Sequence, residues 1–429
     1  MKKKRLLMPV FVLLTAVGLT SCGLFNDDDM KINNTFTPTP VTPPVDPTAK
    51  TVEGVTSRKV DAVPDTLCFK AIPYATDDKI VNTYKEGGIN HVEYNVNGGN
   101  DYEAKYRNSN NYDLYVPDSA SRTDKHVVLL FIHGGAWISG FKTDVNPYVY
   151  EFANKGYITA TIQYTLLKRE MNDNTLSIFR DLDEIDACIK SIKKVLGELE
   201  FDTSKTSLVI GGASSGSHLA MLYAYSRGNQ SVLPIKFIVD AVGPVDIDPY
   251  NWKAFVNETD AALASIEYNA IEDQRSGHNL KELGISGQND TWNDYQTMKI
   301  ANGMCGLPYS LTEIEASSSD QIHVNQPNAA SNSMLKNGGG EDQVSVTYWI
   351  DKITDASQKY PIICAYSGKD RIVGIAQYAK LQHSLESKGI EKAYFYFKDC
   401  GHADISNDTE QYQALIDKIQ EWCVSKGLN

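Results

Sequence analysis

No stretch of this chain restricts its fold more than Leu208-Val209-Ile210-Gly211-Gly212-Ala213-Ser214-Ser215-Gly216-Ser217-His218-Leu219-Ala220. The apolar residues at its start suit a buried strand. The small and apolar residues at its end suit a helix packed against that strand's sheet. Between them stands the pattern Gly212-x-Ser214-x-Gly216. A serine on so abrupt a strand-to-helix turn is strained, the flanking glycines leave it room, and its hydroxyl projects above the sheet edge. Such a turn is a nucleophile elbow, and it calls for strands that end where helices begin. Glycine and serine are common, so the motif alone is also compatible with a turn that does no chemistry.

The surrounding chain supplies further parts. His126–Ile132 is a continuous apolar run, as expected of a strand covered on both faces. It leads into His133-Gly134-Gly135-Ala136-Trp137-Ile138-Ser139-Gly140. There the two glycines let the backbone turn so that the N–H groups of Gly135 and Ala136 point into one site as oxyanion donors. The N–H of Ser215, beside the serine, opens toward the same point. Residues 360–366 read as a strand with Asp370 in the loop beyond it. Residues 393–397 read as the last strand, with His402 in its loop. Ser214, Asp370 and His402 therefore all fall just past C-terminal strand ends, where open α/β sheets bind ligands. Other titratable groups fit the roles less well. His133 and His218 read as structural histidines, Asp399 and Asp404 lie too near His402 in sequence to orient it, and Asp240 and Asp246 follow a different strand.

Residues 91–96 and 112–116 alternate like antiparallel strands. Residues 148–154 have a helical pattern and 157–164 a strand pattern, while Phe179, Leu182, Ile185, Ile189, Ile192 and Leu196 form an apolar stripe at helical spacing. Residues 235–242 make another buried strand, and 376–385 and 412–424 two more helices. Strands alternating with helices specify a mostly parallel sheet layered by helices. From about 246 to 359 the pattern fails, and a connecting loop of that length is uncommon. The segment is read as a cap inserted over the site. Trp252, Trp292, Tyr295 and Trp349 are either pocket walls or the cap's own core.

The chain order serine, aspartate, histidine is that of the α/β-hydrolase triad. Residues 112–245 and 360–425 resemble that family in its esterase branch with His-Gly-Gly-x-Trp. The branch includes hormone-sensitive-lipase-like carboxylesterases, kynurenine-formamidase-like enzymes and carbohydrate feruloyl or acetyl esterases. The family's usual Gly-Asp-Ser-Ala-Gly-Gly is Gly212-Ala213-Ser214-Ser215-Gly216-Ser217 here. The resemblance implies an eight-stranded, mostly parallel sheet covered by helices on both faces. It also implies Ser214 as nucleophile, His402 as general base and Asp370 as its orienter, with the N–H groups of Gly135, Ala136 and Ser215 as the oxyanion hole. No metal or organic cofactor is expected.

The N-terminus belongs to targeting rather than to the fold. Residues 1–5 are basic, 6–19 apolar but short for a membrane span, and Leu19-Thr20-Ser21-Cys22 is a small-residue cleavage site ending in cysteine. The stretch resembles a bacterial lipoprotein signal. That implies removal of residues 1–21, lipid on Cys22, and a place in the cell envelope, on the outer membrane facing the periplasm or the surface. Asp27-Asp28-Asp29 and a Thr/Pro-rich run follow, so residues 22–60 are expected to form an extended tether ahead of a domain at 61–429. A net charge of −13 argues against nucleic acid or an anionic membrane surface as the main partner. Six further cysteines, Cys68, Cys188, Cys305, Cys364, Cys400 and Cys423, permit disulfides in an exported chain. Cys188 and Cys364 sit in patterns that favour small buried thiols.

The expected function is thus hydrolysis of carboxylic esters by a membrane-tethered serine esterase, with acetyl or feruloyl esters of extracellular glycans as the substrate class. A serine peptidase of the prolyl-oligopeptidase type and a non-catalytic glycan-binding lipoprotein are the alternatives. The peptidase type adds a large propeller for which the chain has no room.

Overall fold

The computed structural model describes residues 48–74, 110–137, 140–164, 178–246, 344–370 and 373–428. The signal segment, Cys22, most of the tether, the expected strand at 91–96, Cys305, and Trp252, Trp292 and Tyr295 lie outside the described residues. So does the cap segment between 247 and 343.

A hairpin of β1 (Thr51–Val52) and β2 (Val55–Thr56) precedes one large sheet. The sheet contains β3 (Arg58–Val60), β4 (Val63–Pro73), β5 (Asn111–Pro117), β6 (His126–Ile132), β7 (Ile158–Gln163), β8 (Thr206–Ala213), β9 (Ile235–Ala241), β10 (Ile362–Ser367) and β11 (Lys392–Phe397). Its order is β11-β10-β9-β8-β6-β7-β5-β4-β3. The strands from β11 through β7 are mutually parallel, and β5, β4 and β3 add antiparallel to one edge. Among the described residues the sheet has nine strands rather than the expected eight, the short β3 closing the edge. β1, β2 and β3 run through 51–60, a stretch expected to belong to the tether. Strands of two or three residues carry no periodicity to reveal them.

The apolar run of β6 is explained by burial on both faces. Val128, Leu130 and Ile132 enter one core layer, and Val127, Leu129 and Phe131 the other. Side chains alternate along a strand, so such a strand is apolar throughout. The first layer is completed by α2 (Ile178–Glu198), α3 (Ser215–Arg227), α4 (Val346–Asp351) and α5 (Ile375–Lys388). The second is completed by α1 (Asn146–Asn154) and α6 (Thr409–Ser425). The predicted stripe on α2 lies almost wholly inside the first layer, with only Phe179 partly exposed. Each such aliphatic side chain contributes about 1.5–3 kcal/mol by leaving water.

The end of the presumed cap proves to belong to the scaffold. Val344, Val346, Ile350 and Ile353 are buried in the first layer. The Val346 N–H donates to the Val245 carbonyl at 2.7 Å, and Gln377 of α5 receives the N–H groups of Val245 and Asp246 at 2.8 and 2.9 Å. The described chain before 247 and after 343 is therefore joined at one neck. Cys68, Cys188, Cys364, Cys400 and Cys423 are buried free thiols. Among the described residues no helix is long and apolar enough to cross a membrane.

Candidate active site

β8 ends at Ala213 and α3 begins at Ser215, which leaves Ser214 on the turn with φ 54° and ψ −125°. A non-glycine residue adopts that conformation only under constraint. Here the Ser214 N–H donates to the Ala241 carbonyl of β9 at 2.8 Å. Crowding explains the glycine before it: a Cβ on Gly212 would lie 2.5 Å from backbone atoms of both Gly216 and Ile132.

His402 follows β11 and places Nε2 2.8 Å from Ser214 Oγ. Its Nδ1 lies 2.7 Å from Oδ2 of Asp370, which follows β10 and is buried. The other oxygen, Oδ1, accepts the Val373 N–H at 2.8 Å, so the carboxylate is held from both sides. With Nδ1–H given to Asp370, Nε2 is left to accept the serine proton. The two loops that carry Asp370 and His402 are zipped together. Gly368 N–H donates to Phe397 O and Lys369 N–H to Cys400 O, both at 2.9 Å, and Lys369 pairs with Asp399 at 2.7 Å. Asp404 accepts the Gly401 N–H. Asp399 and Asp404 thus brace the loop around His402.

The loop after β6 runs alongside the serine. A Cβ on Gly134 would come 3.1 Å from Ser214 Cβ and 2.8 Å from Ala213 O. Gly135, Ala136 and Trp137 then have φ of 117°, 54° and 62°, three successive left-handed residues that turn the backbone sharply beside the hydroxyl. Ser215 opens α3, where a helix's first amides have no acceptor within it. The structure brings the residues named from sequence, Ser214, Asp370, His402, Gly135, Ala136 and Ser215, to one end of the parallel strands. Ser139 lies outside the described residues.

His133 and His218 do not touch Ser214 through their rings. His133 Nδ1 lies 2.7 Å from Gly134 O, its ring stacks on Tyr164 at 4.3 Å, and its Nε2 faces Gln163 Nε2 at 3.3 Å. His218 Nε2 donates to Val344 O at 2.7 Å, and its ring meets Trp137 edge-on at 5.3 Å. Burial lowers both imidazoles to about 4, so each is neutral near neutral pH. His133 binds the turn to β7, and His218 binds the elbow helix to the neck. Asp246 pairs with Lys380 of α5. Asp240, on β9, is fully buried, and burial raises its carboxyl to about 7.

Sequence reasoning missed a buried charge cluster behind the loop. Asp113 of β5 takes Lys70 Nζ at 2.8 Å and Lys142 Nζ at 2.9 Å. Lys142 also contacts Asn111, and Lys70 contacts Tyr115. Burial alone would raise the Asp113 carboxyl, but Lys142 and Lys70 outweigh it and hold it below the usual range. The Lys142 N–H donates to Gln163 Oε1 at 3.1 Å, which fastens the far end of the loop to β7. The available signal was a charge inside each of two apolar strands, Lys70 and Asp113. Among the described residues no cluster of His, Cys, Asp and Glu suits a metal ion.

The model of the BD-FAE family matches residues 112–276. That span runs from β5 past β9 and includes the glycine loop and Ser214, but neither Asp370 nor His402. Among curated proteins, the non-reducing polyketide synthase Preu3 of Preussia isomera is 22% identical over 346 residues, 74% of this chain and 13% of that protein. The non-reducing polyketide synthase pkbA of Emericella nidulans is 27% identical over 168 residues, 37% of this chain and 6% of that protein. The chain thus spans 13% or less of the length of these curated relatives. Among solved structures, esterase B of Lactobacillus rhamnosis superposes with a TM-score of 0.47 at 10% identity, over 87% of this chain and 91% of that one. The bifunctional GH43-CE protein of Bacteroides eggerthii superposes with 0.45 at 16% identity, over 73% and 33%.

Proposed function

We propose that this chain, an α/β-hydrolase in fold, is a serine hydrolase that cleaves carboxylic esters through an acyl-enzyme. The observation that carries the reading is the unbroken line from Asp370 to His402 to Ser214, at 2.7 and 2.8 Å. A serine hydroxyl is a weak nucleophile until a neutral imidazole accepts its proton. His402 Nε2 takes that proton as Oγ attacks the ester carbonyl, and the new negative oxygen is received by the N–H groups of Gly135, Ala136 and Ser215. The C–O bond to the alcohol then breaks, and His402 returns the proton to the departing oxygen. Water, deprotonated by the same nitrogen, attacks the acyl group and frees Ser214. Asp370 keeps the imidazole in the one tautomer and orientation that serve both transfers.

The N-terminal sequence supports an encounter with substrate outside the cytoplasm. A lipid on Cys22 and a tether of Thr and Pro residues hold the domain in the cell envelope, beyond the cytoplasm. Acetyl or feruloyl esters on extracellular glycans are the proposed substrates. No cofactor enters the scheme.

The test is incubation with p-nitrophenyl acetate and with a chromogenic peptide, alongside labelling by a fluorophosphonate probe. The ester is expected to be cleaved and the peptide left intact, with the probe on Ser214 and no labelling in Ser214→Ala. Peptide cleavage in preference to ester makes the chain a peptidase. Absence of both turnover and labelling leaves the glycan-binding alternative.

A further inference from the structure

Val242 is the anomaly at the C-terminal edge of the sheet. Its φ is 51°, a region that a β-branched residue occupies only when its surroundings force it there. Ser214, Ala136 and Trp137 share that strain, but each lies in a segment whose chemistry accounts for it. Val242 belongs to no motif. It follows β9 directly, is buried, and donates its N–H to Ala365 O of β10 at 2.8 Å.

The residue before it ties this strain to the elbow. Ala241 accepts the Ser214 N–H at 2.8 Å and donates its own N–H to Ser217 Oγ at 2.8 Å. Ser217 in turn donates to Gly212 O at 2.7 Å. One residue of β9 therefore grips both the serine and the first turn of the helix behind it. The direction of the Ala241 carbonyl depends on how the chain leaves β9, which is set at Val242 and Gly243.

Two side chains hold that exit. Asp240 Oδ1 accepts the Gly243 N–H at 3.0 Å, and Tyr366 Oη donates to Gly243 O at 2.7 Å. The turn is pressed flat against its neighbours: a Cβ on Gly243 would lie 2.6 Å from Asp240 Oδ1, 2.6 Å from Ser217 Cβ and 2.9 Å from Met221 Cε. Asp240 is fully buried, and its Oδ2 has no hydrogen-bond partner among the described residues. Burying a carboxyl with one idle oxygen is unfavourable by at least about 1 kcal/mol. What the carboxyl holds in return is the Gly243 N–H.

We propose that Asp240 is a positioning residue, which clasps the Val242–Gly243 turn so that the Ala241 carbonyl holds the Ser214 amide and sets the angle at which the serine hydroxyl meets His402. The role rests on the reading of Ser214 as nucleophile. It separates from a merely structural one, because a structural residue changes the folded fraction while a positioning residue changes the rate of each folded site.

The experiment compares Asp240→Asn and Asp240→Ala by p-nitrophenyl acetate turnover, with active sites counted by fluorophosphonate. Asparagine keeps an oxygen for the Gly243 N–H, and kcat is expected within about threefold of the parent. Alanine removes the clasp; kcat is expected to fall by roughly 30- to 100-fold with KM within about twofold, as for a nucleophile displaced by a fraction of an ångström. Hydrogen exchange at the Ser214 amide is expected to quicken in Asp240→Ala and not in Asp240→Asn. If Asp240→Ala does not fold, Tyr366→Phe, which frees the other end of Gly243, is read in the same way. Unchanged kcat per site together with unchanged Ser214 exchange overturns the proposal, as does an asparagine variant as slow as the alanine one. A parent protein that neither turns over ester nor takes the probe refutes the nucleophile assignment instead. The Ser214 amide exchange then still decides whether Asp240 fixes the elbow.

Discussion

The α-hydrogen of Gly216 points at the carbonyl oxygen of Ile132, and a methyl group in its place would lie well inside 3.0 Å of that oxygen. The start of the elbow helix is thereby seated directly on the end of β6. Ile132 precedes the glycine loop by one residue, so this contact fixes the spacing between the serine and the amides that face it.

Gly216→Ala should therefore damage the site more than its size suggests. Overpacking of this kind costs about 1–3 kcal/mol, and relief requires α3 to move away from β6. Fluorophosphonate labelling is expected to slow by roughly 100-fold, with a lowered thermal midpoint. Labelling and midpoint both at parental values would contradict the close seating.

Asp370→Asn should leave the fold intact and reduce kcat by roughly 10⁴, the loss seen when a triad acid no longer holds the histidine tautomer. Steady-state kinetics and circular dichroism measure the two halves of that statement. A loss below about tenfold would pass the role to another carboxylate. Asp246 is the next to replace, although its pairing with Lys380 already gives it other work.

Stability should rise with pH between about 4.5 and 6.5. His133 and His218 have their folded values lowered to about 4 from 6.5. In that window the unfolded chain binds two protons that the folded chain refuses. Their contribution is fully present above 6.5 and is lost as pH falls toward 4. Asp240 acts in the opposite sense: its value is raised from 3.8 to about 7, so the folded chain keeps one proton that the unfolded chain has released. Across these three groups the net difference is one proton, or about 1.4 kcal/mol per pH unit, and His126, which burial also lowers, adds in the same direction. Urea midpoints across the range test the slope, and Asp240→Asn should steepen it by about 1.4 kcal/mol per pH unit. A flat profile would contradict the burial of these groups.

Replacement of Asp113 tests the charge cluster. Asp113→Ala leaves Lys70 and Lys142 buried without their common partner, and breaking such a pair from one side costs about 3–5 kcal/mol. Chemical denaturation of the variant should show that loss. Simultaneous replacement of all three by apolar residues of similar volume should recover most of it. A single variant as stable as the parent would mean that the lysines reach water.

Lipidation has its own test. Labelled palmitate should enter the full chain expressed in a Gram-negative host and not Cys22→Ser. Label retained by the variant would remove the anchor.

How much of this was legible beforehand depends on the range of the interactions involved. β6 was found to the residue because burial on both faces leaves an unbroken apolar run. Ser214, Asp370 and His402 were found because each stands where a strand stops, although Ser214 and His402 are 188 positions apart. β4 was missed because it carries Pro64, Asp65 and Lys70, and Lys70 is reconciled with burial by partners far along the chain, Asp113 at 43 positions and Tyr115 at 45. Nothing local announces that pairing. α4 has six residues, too few to display a helical period, so nothing local sets it apart from the segment before it. The strain at Val242 left no trace at all, since neither glycine nor asparagine marks the position.

The neck between Asp246 and Val344 has a consequence for how such a protein diversifies. Both ends of the long segment are bonded to the scaffold within a few ångströms of each other, through Val245, Gln377 and His218. Pinning two chain ends this close carries a closure cost that grows slowly with the length between them, by only about 0.6 kcal/mol in chain entropy per doubling for a flexible connection. The scaffold is in effect a socket: its two contacts hold the chain on either side of the connection. A change in the length of that connection need not reach the contacts that seat it. The spacing of Ser214, His402 and Asp370 is set elsewhere and need not change.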